Sequence, residues 1–317
     1  MGLYVGFDTS NYTTSVSVFD SENNTVNNCK KLLPVGIGEK GLMQSKALFE
    51  HIRQLPEVME AAFSPFSELN ISAVGVSDKP RNIEGSYMPV FLAGVNCATA
   101  VALSNCVKLY KTSHQVGHIL SALYSSNHLD LINQQFIAFH VSGGTTEALL
   151  VSPDMDEVIK CDKQAESTDL KAGQAIDRVG VMLGLKFPAG AELDKLSKFG
   201  TSPIKPKPVI KGLNCSISGV ENKAIKLFEN GEKKENIARF TIEFILNTIL
   251  KMTENLKQEY GDIPFVYSGG VMSNSLIREE LSKLGGIFCE PQFSSDNATG
   301  IAIFAYLKEN QECNFGK

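Results

Sequence analysis

Residues 4–19 read YVGFDTSNYTTSVSVF and residues 136–151 read FIAFHVSGGTTEALLV. Each stretch is an apolar run, a short polar turn, a Thr-Thr pair and a second apolar run, the pattern of a β-hairpin. At an offset of 132 residues, Ser10 falls on Ser142, Thr13 on Thr145 and Thr14 on Thr146. A shared Thr-Thr pair alone would be coincidence between two hairpins. The repeat gains weight because a helical stretch and a further buried strand follow each copy, at 73–77 in the first half and 265–268 in the second. Two halves that open alike predict an α/β fold made by duplication. An N-terminal lobe would cover 1–132 and a C-terminal lobe 133–317, with a ligand cleft between them.

The two turns suit a phosphate-bearing ligand. In Ser142-Gly143-Gly144-Thr145 the glycines let backbone N–H groups approach an anion, and the hydroxyls add donors. The run YSGGV at 267–271 follows a strand and precedes a helix expected over 274–284, which puts free backbone donors at a helix start. A lone Gly-Gly turn says little, because tight turns need glycine anyway. The two together say more, and with the duplicated halves they point to the two-lobed nucleotide-binding class of actin, the sugar kinases and Hsp70 (the ASKHA fold).

Composition narrows the alternatives. With 317 residues, 43% hydrophobic and 21% charged, the chain is globular and too long for one compact core. Its formal net charge of −5 argues against a wholesale nucleic-acid binder, so any RNA contact must come from a local basic patch. The candidates are Lys205, Lys207 and Lys211, with Lys223 and Lys226 behind them; charge pattern alone reads these more readily as a solvated face. Seven cysteines without a CxxC pair argue against a disulfide framework and a cysteine zinc site. The N-terminal residues lack a signal-peptide pattern and no apolar run is long enough to span a bilayer, so a cytoplasmic protein without membrane contact is expected.

His114-Gln-Val-Gly-His118 puts two imidazoles one helical turn apart, the spacing one metal ion bridges. Gly117 is expected to clear space beside the rings. Gln115 stands where a zinc peptidase carries its general-base glutamate, and an amide cannot take a proton from metal-bound water. Peptidase chemistry is therefore unsupported. Asp296, in FSSDNATG at 293–300, lies between an apolar strand at 286–289 and a small-residue helix at 298–307. It is a candidate third ligand, and equally a candidate N-cap of that helix.

These pieces together resemble the tRNA N6-adenosine threonylcarbamoyltransferase family, the universal threonylcarbamoyladenosine synthases. HQVGH is similar to the family's H-x-E-G-H, and VSGGTTEALLV (141–151) to its VSGGHTQLLLV. AGQAIDRVGVMLGLKFPAGAELDKL (172–196), YSGGVMSNSLIREEL (267–281) and SSDNATGIAIFAY (294–306) match its later motifs in colinear order. The resemblance implies one divalent metal ion, iron or zinc, on His114, His118 and Asp296. It implies an adenine nucleotide or threonylcarbamoyl-AMP against Val141, Ser142, Gly143, Gly144, Thr145, Asp177, Gly190 and Asn274. The implied reaction moves a threonylcarbamoyl group to N6 of an adenosine in tRNA, and a related family subunit is an implied partner. No residue is assigned as the catalytic group.

The departures from the family pattern are local. Where members read ETSCDET, this chain reads Asp8-Thr-Ser-Asn-Tyr-Thr-Thr14, so Tyr12 and Thr13 replace an acidic pair, and Asn11-Tyr12-Thr13 is expected to line the cleft. Thr145 replaces a histidine, Gln174 an acid, and the stretch 215–222 lacks the family's lysine. The loop at 78–89 is longer. Nucleotide and metal positions are kept better than chemistry positions, which fits a diverged paralogue. Two further readings stay open: a catalytically silent nucleotide-binding paralogue that pairs with a true synthase, and a carbamoyltransferase acting on a small molecule.

Overall fold

The computed structural model describes residues 2–10, 12–34 and 42–315. Its first sheet opens with β1 (Leu3–Asp8), β2 (Thr13–Asp20) and β3 (Thr25–Leu32), paired antiparallel. Then come α1 (Gln44–Phe63), β4 (Ile71–Lys79), α2 (Phe91–Ser104), β5 (Lys108–Ser113) and α3 (His114–Ser125). The second series is β6 (Phe136–Val141), β7 (Thr146–Asp154), β8 (Val158–Glu166), α4 (Ala172–Met182) and α5 (Gly190–Ser197). A small hairpin of β9 (Val209–Lys211) and β10 (Asn214–Ser216) leads into α6 (Gly219–Glu229) and α7 (Lys234–Tyr260). Next are β11 (Phe265–Ser268), α8 (Ser275–Ser282), β12 (Ile287–Phe288) and the last helix, α9 (Thr299–Phe315).

The duplication is visible in the strand orders. The first sheet runs β3-β2-β1-β4-β5 and the second, read from the matching edge, β8-β7-β6-β11-β12, the same arrangement position for position. In both, the first strand also pairs parallel with a strand that comes later in its half, β1 with β4 and β6 with β11. Register repeats as well. Tyr4 pairs with Phe19 and Phe136 with Val151, which preserves the offset of 132 residues read from the sequence. The second threonine of each Thr-Thr pair ties its hairpin to a helix. Thr14 Oγ1 bonds His51 and Gln54 of α1, and Thr146 Oγ1 accepts the N–H of Ala172 at the start of α4.

Each unit has its own core. In the second, α7 supplies fully buried Phe240, Phe244 and Ile249. Phe139, Tyr267 and Phe288 stack across three adjacent strands, with centroids 5.2 Å apart at each step. Such cross-strand aromatic pairs fix register as well as burying area.

The expected lobes of 1–132 and 133–317 need redrawing. The break after residue 132 is present, but the 153–160 turn and the segment from 295 onward pack with the first unit. The reason is α9, which lies directly on β1 and β4 at glycines. A Cβ on Gly6 would stand 2.5 Å from the Ala298 carbonyl, and one on Gly75 would stand 2.4 Å from that of Ile301. The same helix crosses α3 so closely that a Cβ on Gly300 would lie 1.8 Å from the Gly117 carbonyl oxygen. Gly117 thus makes room for Ile301 of α9, whose side chain a Cβ there would meet at 2.6 Å, rather than for an imidazole. Among the described residues no helix is long and apolar enough to cross a membrane.

Candidate functional site

The first unit brings His114, His118 and Asp296 together. Ser113 caps α3 by accepting the Val116 N–H, which starts the helix at His114 and sets both imidazoles on one face a turn apart. Asp296 comes from the loop before α9. At the start of that helix the Asn297 side chain accepts the Thr299 N–H at 3.0 Å.

The spacing fits a cation. His114 Nε2 and His118 Nε2 are 2.9 Å apart, and Asp296 Oδ1 is 3.7 Å from the first and 3.3 Å from the second. Atoms that share an ion at about 2.0–2.2 Å stand roughly 3.0–3.5 Å from one another. Two imidazoles and one carboxylate suit iron or zinc and leave coordination positions open.

Sequence reasoning missed the groups around this triad. Asp8, at the end of β1, is fully buried and takes the His114 Nδ1 proton at 2.7 Å. That bond orients the ring and turns Nε2 toward the other ligands. Asp8 is fixed in turn by Ser77 Oγ at 2.8 Å and the Ser10 N–H at 3.0 Å. Ser10 Oγ stands 3.4 Å from His114 Nε2, and Thr13 Oγ1 donates to Asp296 Oδ2 at 3.5 Å. Asp8 stands 106 residues before His114, so the sequence carried no local signal of their bond. Thr13, at a family acid position, therefore touches a ligand of the triad; Tyr12 gives its carbonyl to the Leu33 N–H, and Asn11 lies outside the described residues.

Electrostatics follow from this packing. Burial disfavours charge on both partners, yet the His114 charge and hydrogen bond hold Asp8 below the ordinary carboxylate value. Against the same burial, the charge and hydrogen bond of Asp8, with Asp296 behind, push His114 up to about 9. A cation on Nε2 must therefore displace a proton at neutral pH. Metal affinity should rise by roughly tenfold per pH unit as the pH climbs toward about 9, then level off. Asp8→Asn removes the brace and should weaken metal binding about ten- to a hundredfold and flatten that slope. Competition titrations against a chromophoric chelator across pH would read both effects.

The second unit holds a cavity of about 470 Å³. Gly143, Asp177, Gly190 and Asn274, expected from sequence, all line it, and so do Asp194, Lys195, Lys198 and Ser273, which were not foreseen. Of the remaining expected positions, Val141 is buried at the end of β6, while Ser142 and Thr145 close the hairpin turn on each other. Gly143 and Gly144 are exposed, and a Cβ on either would meet nothing within 4 Å. Helix α4 starts hard against this turn: Gly173 donates its N–H to the Ser142 carbonyl at 3.1 Å. Burial raises the Asp177 carboxyl, although the Ala189 N–H bonded to it acts the other way. Asn274 is already committed: its oxygen caps α8 and its amide donates to Asp194 at 2.9 Å.

The family model described as TsaD, tRNA N6-adenosine threonylcarbamoyltransferase, matches residues 38–303. This chain belongs to the tRNA N6-adenosine threonylcarbamoyltransferase family. A member from Thermosipho africanus is 29% identical over 96% of this chain and 93% of its own length. One from Carboxydothermus hydrogenoformans is 31% identical over 84% of this chain and 80% of its own. Solved structures extend the fold beyond the family. The chain superposes on HypF from T. kodakarensis with a TM-score of 0.61 at 14% identity, covering 98% of this chain and 48% of that one. It superposes on the (R)-2-hydroxyglutaryl-CoA dehydratase component A of Acidaminococcus fermentans with a TM-score of 0.54 at 17% identity, covering 98% of both. A ROK-family glucokinase from Streptomyces griseus gives 0.52 at 12% identity, over 96% of this chain and 99% of its own. These neighbours are of the ASKHA type expected from the repeat.

Proposed function

We propose that this family member transfers a threonylcarbamoyl group from threonylcarbamoyl-AMP to N6 of an adenosine in tRNA. What carries the reading is the braced triad: two imidazole nitrogens and a carboxylate oxygen at cation spacing, with Asp8 fixing the tautomer. In the transfer, the N6 nitrogen forms a bond to the carbamoyl carbon, the bond from that carbon to the AMP oxygen breaks, and the amine proton leaves to water. A divalent iron or zinc ion on His114, His118 and Asp296 would stabilise negative charge as a Lewis acid. Gly143 and its neighbours offer backbone donors to the phosphate, and the cavity volume falls in the range of small-ligand pockets.

Incubating the protein with threonylcarbamoyl-AMP and tRNA, then measuring the modified nucleoside by mass spectrometry, tests the reading; no product with metal-loaded protein sinks it. Gly143→Val probes the nucleotide. Because the Cβ position is open, the fold should be kept, with thermal midpoint unchanged within about 2 °C. AMP binding by calorimetry should disappear, and equal affinity would remove the turn from the site.

A silent paralogue is the second reading, favoured by Thr13 and Tyr12 in the acidic positions. Neither side chain is a carboxylate, and losing one acid–base group costs on the order of a hundredfold or more. In that case the protein binds nucleotide yet supports modification only beside a related family subunit. A cytoplasmic location accords with either reading.

A further inference from the structure

We propose that Phe187 and Phe199 form a stacking platform for unpaired bases of a single-stranded RNA segment, whose phosphates are held by lysines of residues 186–211. This rests on the RNA substrate proposed above and concerns residues that the proposed chemistry leaves unused. Phe199 is 82% exposed and Phe187 75%, the two highest values among the exposed large hydrophobic side chains described. A phenyl ring left in water forfeits about 1.5–3 kcal/mol of burial. Two of them flank a single helix, α5, one just before it and one just after. Eight helical residues rise about 12 Å, a span that a few stacked nucleotides cover.

Both rings adjoin the cavity wall in sequence: Pro188 and Lys198, their immediate neighbours, line it. Charge then separates the possible occupants. Residues 186–211 carry lysine at 186, 195, 198, 205, 207 and 211 and acids only at 192 and 194, in a chain whose net charge is −5. All six lysines lie at least partly open to solvent. Both acids are engaged within the fold. Glu192 accepts the Lys186 backbone N–H, and Asp194 is held by Asn274 and Ser275 and lies 3.9 Å from the Lys198 ammonium. Lysine is depleted from protein–protein interfaces, whereas aromatic side chains beside a basic track are how single strands are bound without sequence readout. Of the farther candidates, Lys223 places its ammonium 5.7 Å from the Phe244 ring centroid, which draws it away from this track.

Fluorescence anisotropy with the full-length protein tests the platform, using a labelled RNA hairpin with an unpaired loop and a fully paired duplex of equal length. Phe187→Ala with Phe199→Ala should weaken loop binding about five- to a hundredfold, leave the duplex unaffected and leave AMP affinity by calorimetry unchanged. Tryptophan at both positions should restore loop binding. Lys205→Gln with Lys207→Gln should weaken both RNAs and reduce the salt slope by about one for each phosphate no longer neutralised. Equal loop affinity for parent and phenylalanine variant overturns the platform while the RNA reading stands. No RNA binding by the parent at low salt overturns both. A phenylalanine variant that binds RNA normally but loses oligomeric mass in light scattering would assign the rings to a protein interface, and the proposal falls.

Discussion

His114→Ala should leave the protein metal-free and cut threonylcarbamoyl transfer by at least about a thousandfold, the value of several kcal/mol of Lewis-acid stabilisation. Elemental analysis of chelator-free wild type should find near-stoichiometric iron or zinc, and the variant none. The substitution also strips buried Asp8 of its 2.7 Å partner, leaving the carboxylate to Ser77 and the Ser10 N–H. Removing one member of a buried pair destabilises because the other charge stays behind. A lower melting temperature alone therefore proves nothing about metal. Asp296→Asn separates the effects, since it removes a ligand while keeping the Asp8–His114 pair. If both variants retain full metal, the ion sits elsewhere and the triad is a hydrogen-bonded cluster only.

The second large effect is expected at a residue with no chemistry. Gly300→Ala would place a methyl 1.8 Å from the Gly117 carbonyl oxygen, where no side-chain rotation relieves the overlap. One helix must move. A shift of α9 from α3 separates the segment carrying Asp296 from the helix carrying both histidines. We expect about 3 kcal/mol or more of destabilisation, at the upper end of overpacking costs, and loss of metal binding in parallel. Chemical denaturation and metal titration would read the two together. A variant of wild-type stability with an intact metal site would mean that α9 and α3 tolerate wider spacing than their glycines indicate.

Much of the fold was legible because strand pairs leave a period-two pattern that survives divergence. The hairpins at 4–19 and 136–151 repeat down to register. The triad was legible for a similar reason: two histidines at helical spacing and one carboxylate in a loop are short-range signals. What stayed hidden depends on approach in space. Asp8 was seen only as a turn residue, because its bond to His114 joins β1 to a helix after β5. The true home of α9 was misread, since its small residues fit either unit and only Gly6, Gly75 and Gly117 decide. Asn274 lines the cavity as expected, and its side chain also caps α8 and holds Asp194, contacts that no local pattern shows.

The return of residues 295 onward to the first unit fixes an order of events during synthesis. Residues 133–294 precede α9 in the chain, so the second unit has all of its own residues while the first still waits for one layer. Until then β1 and β4 show the nascent chain a strip of bare glycine backbone and apolar side chains. The two histidines likewise stand without their carboxylate, 178 residues upstream of it counted from His118. The N-terminal sheet, although made first, is finished last. A chain ending at residue 294 and carried clear of the ribosome on an added linker should thus hold a protease-resistant second unit and a first unit still open to chaperones.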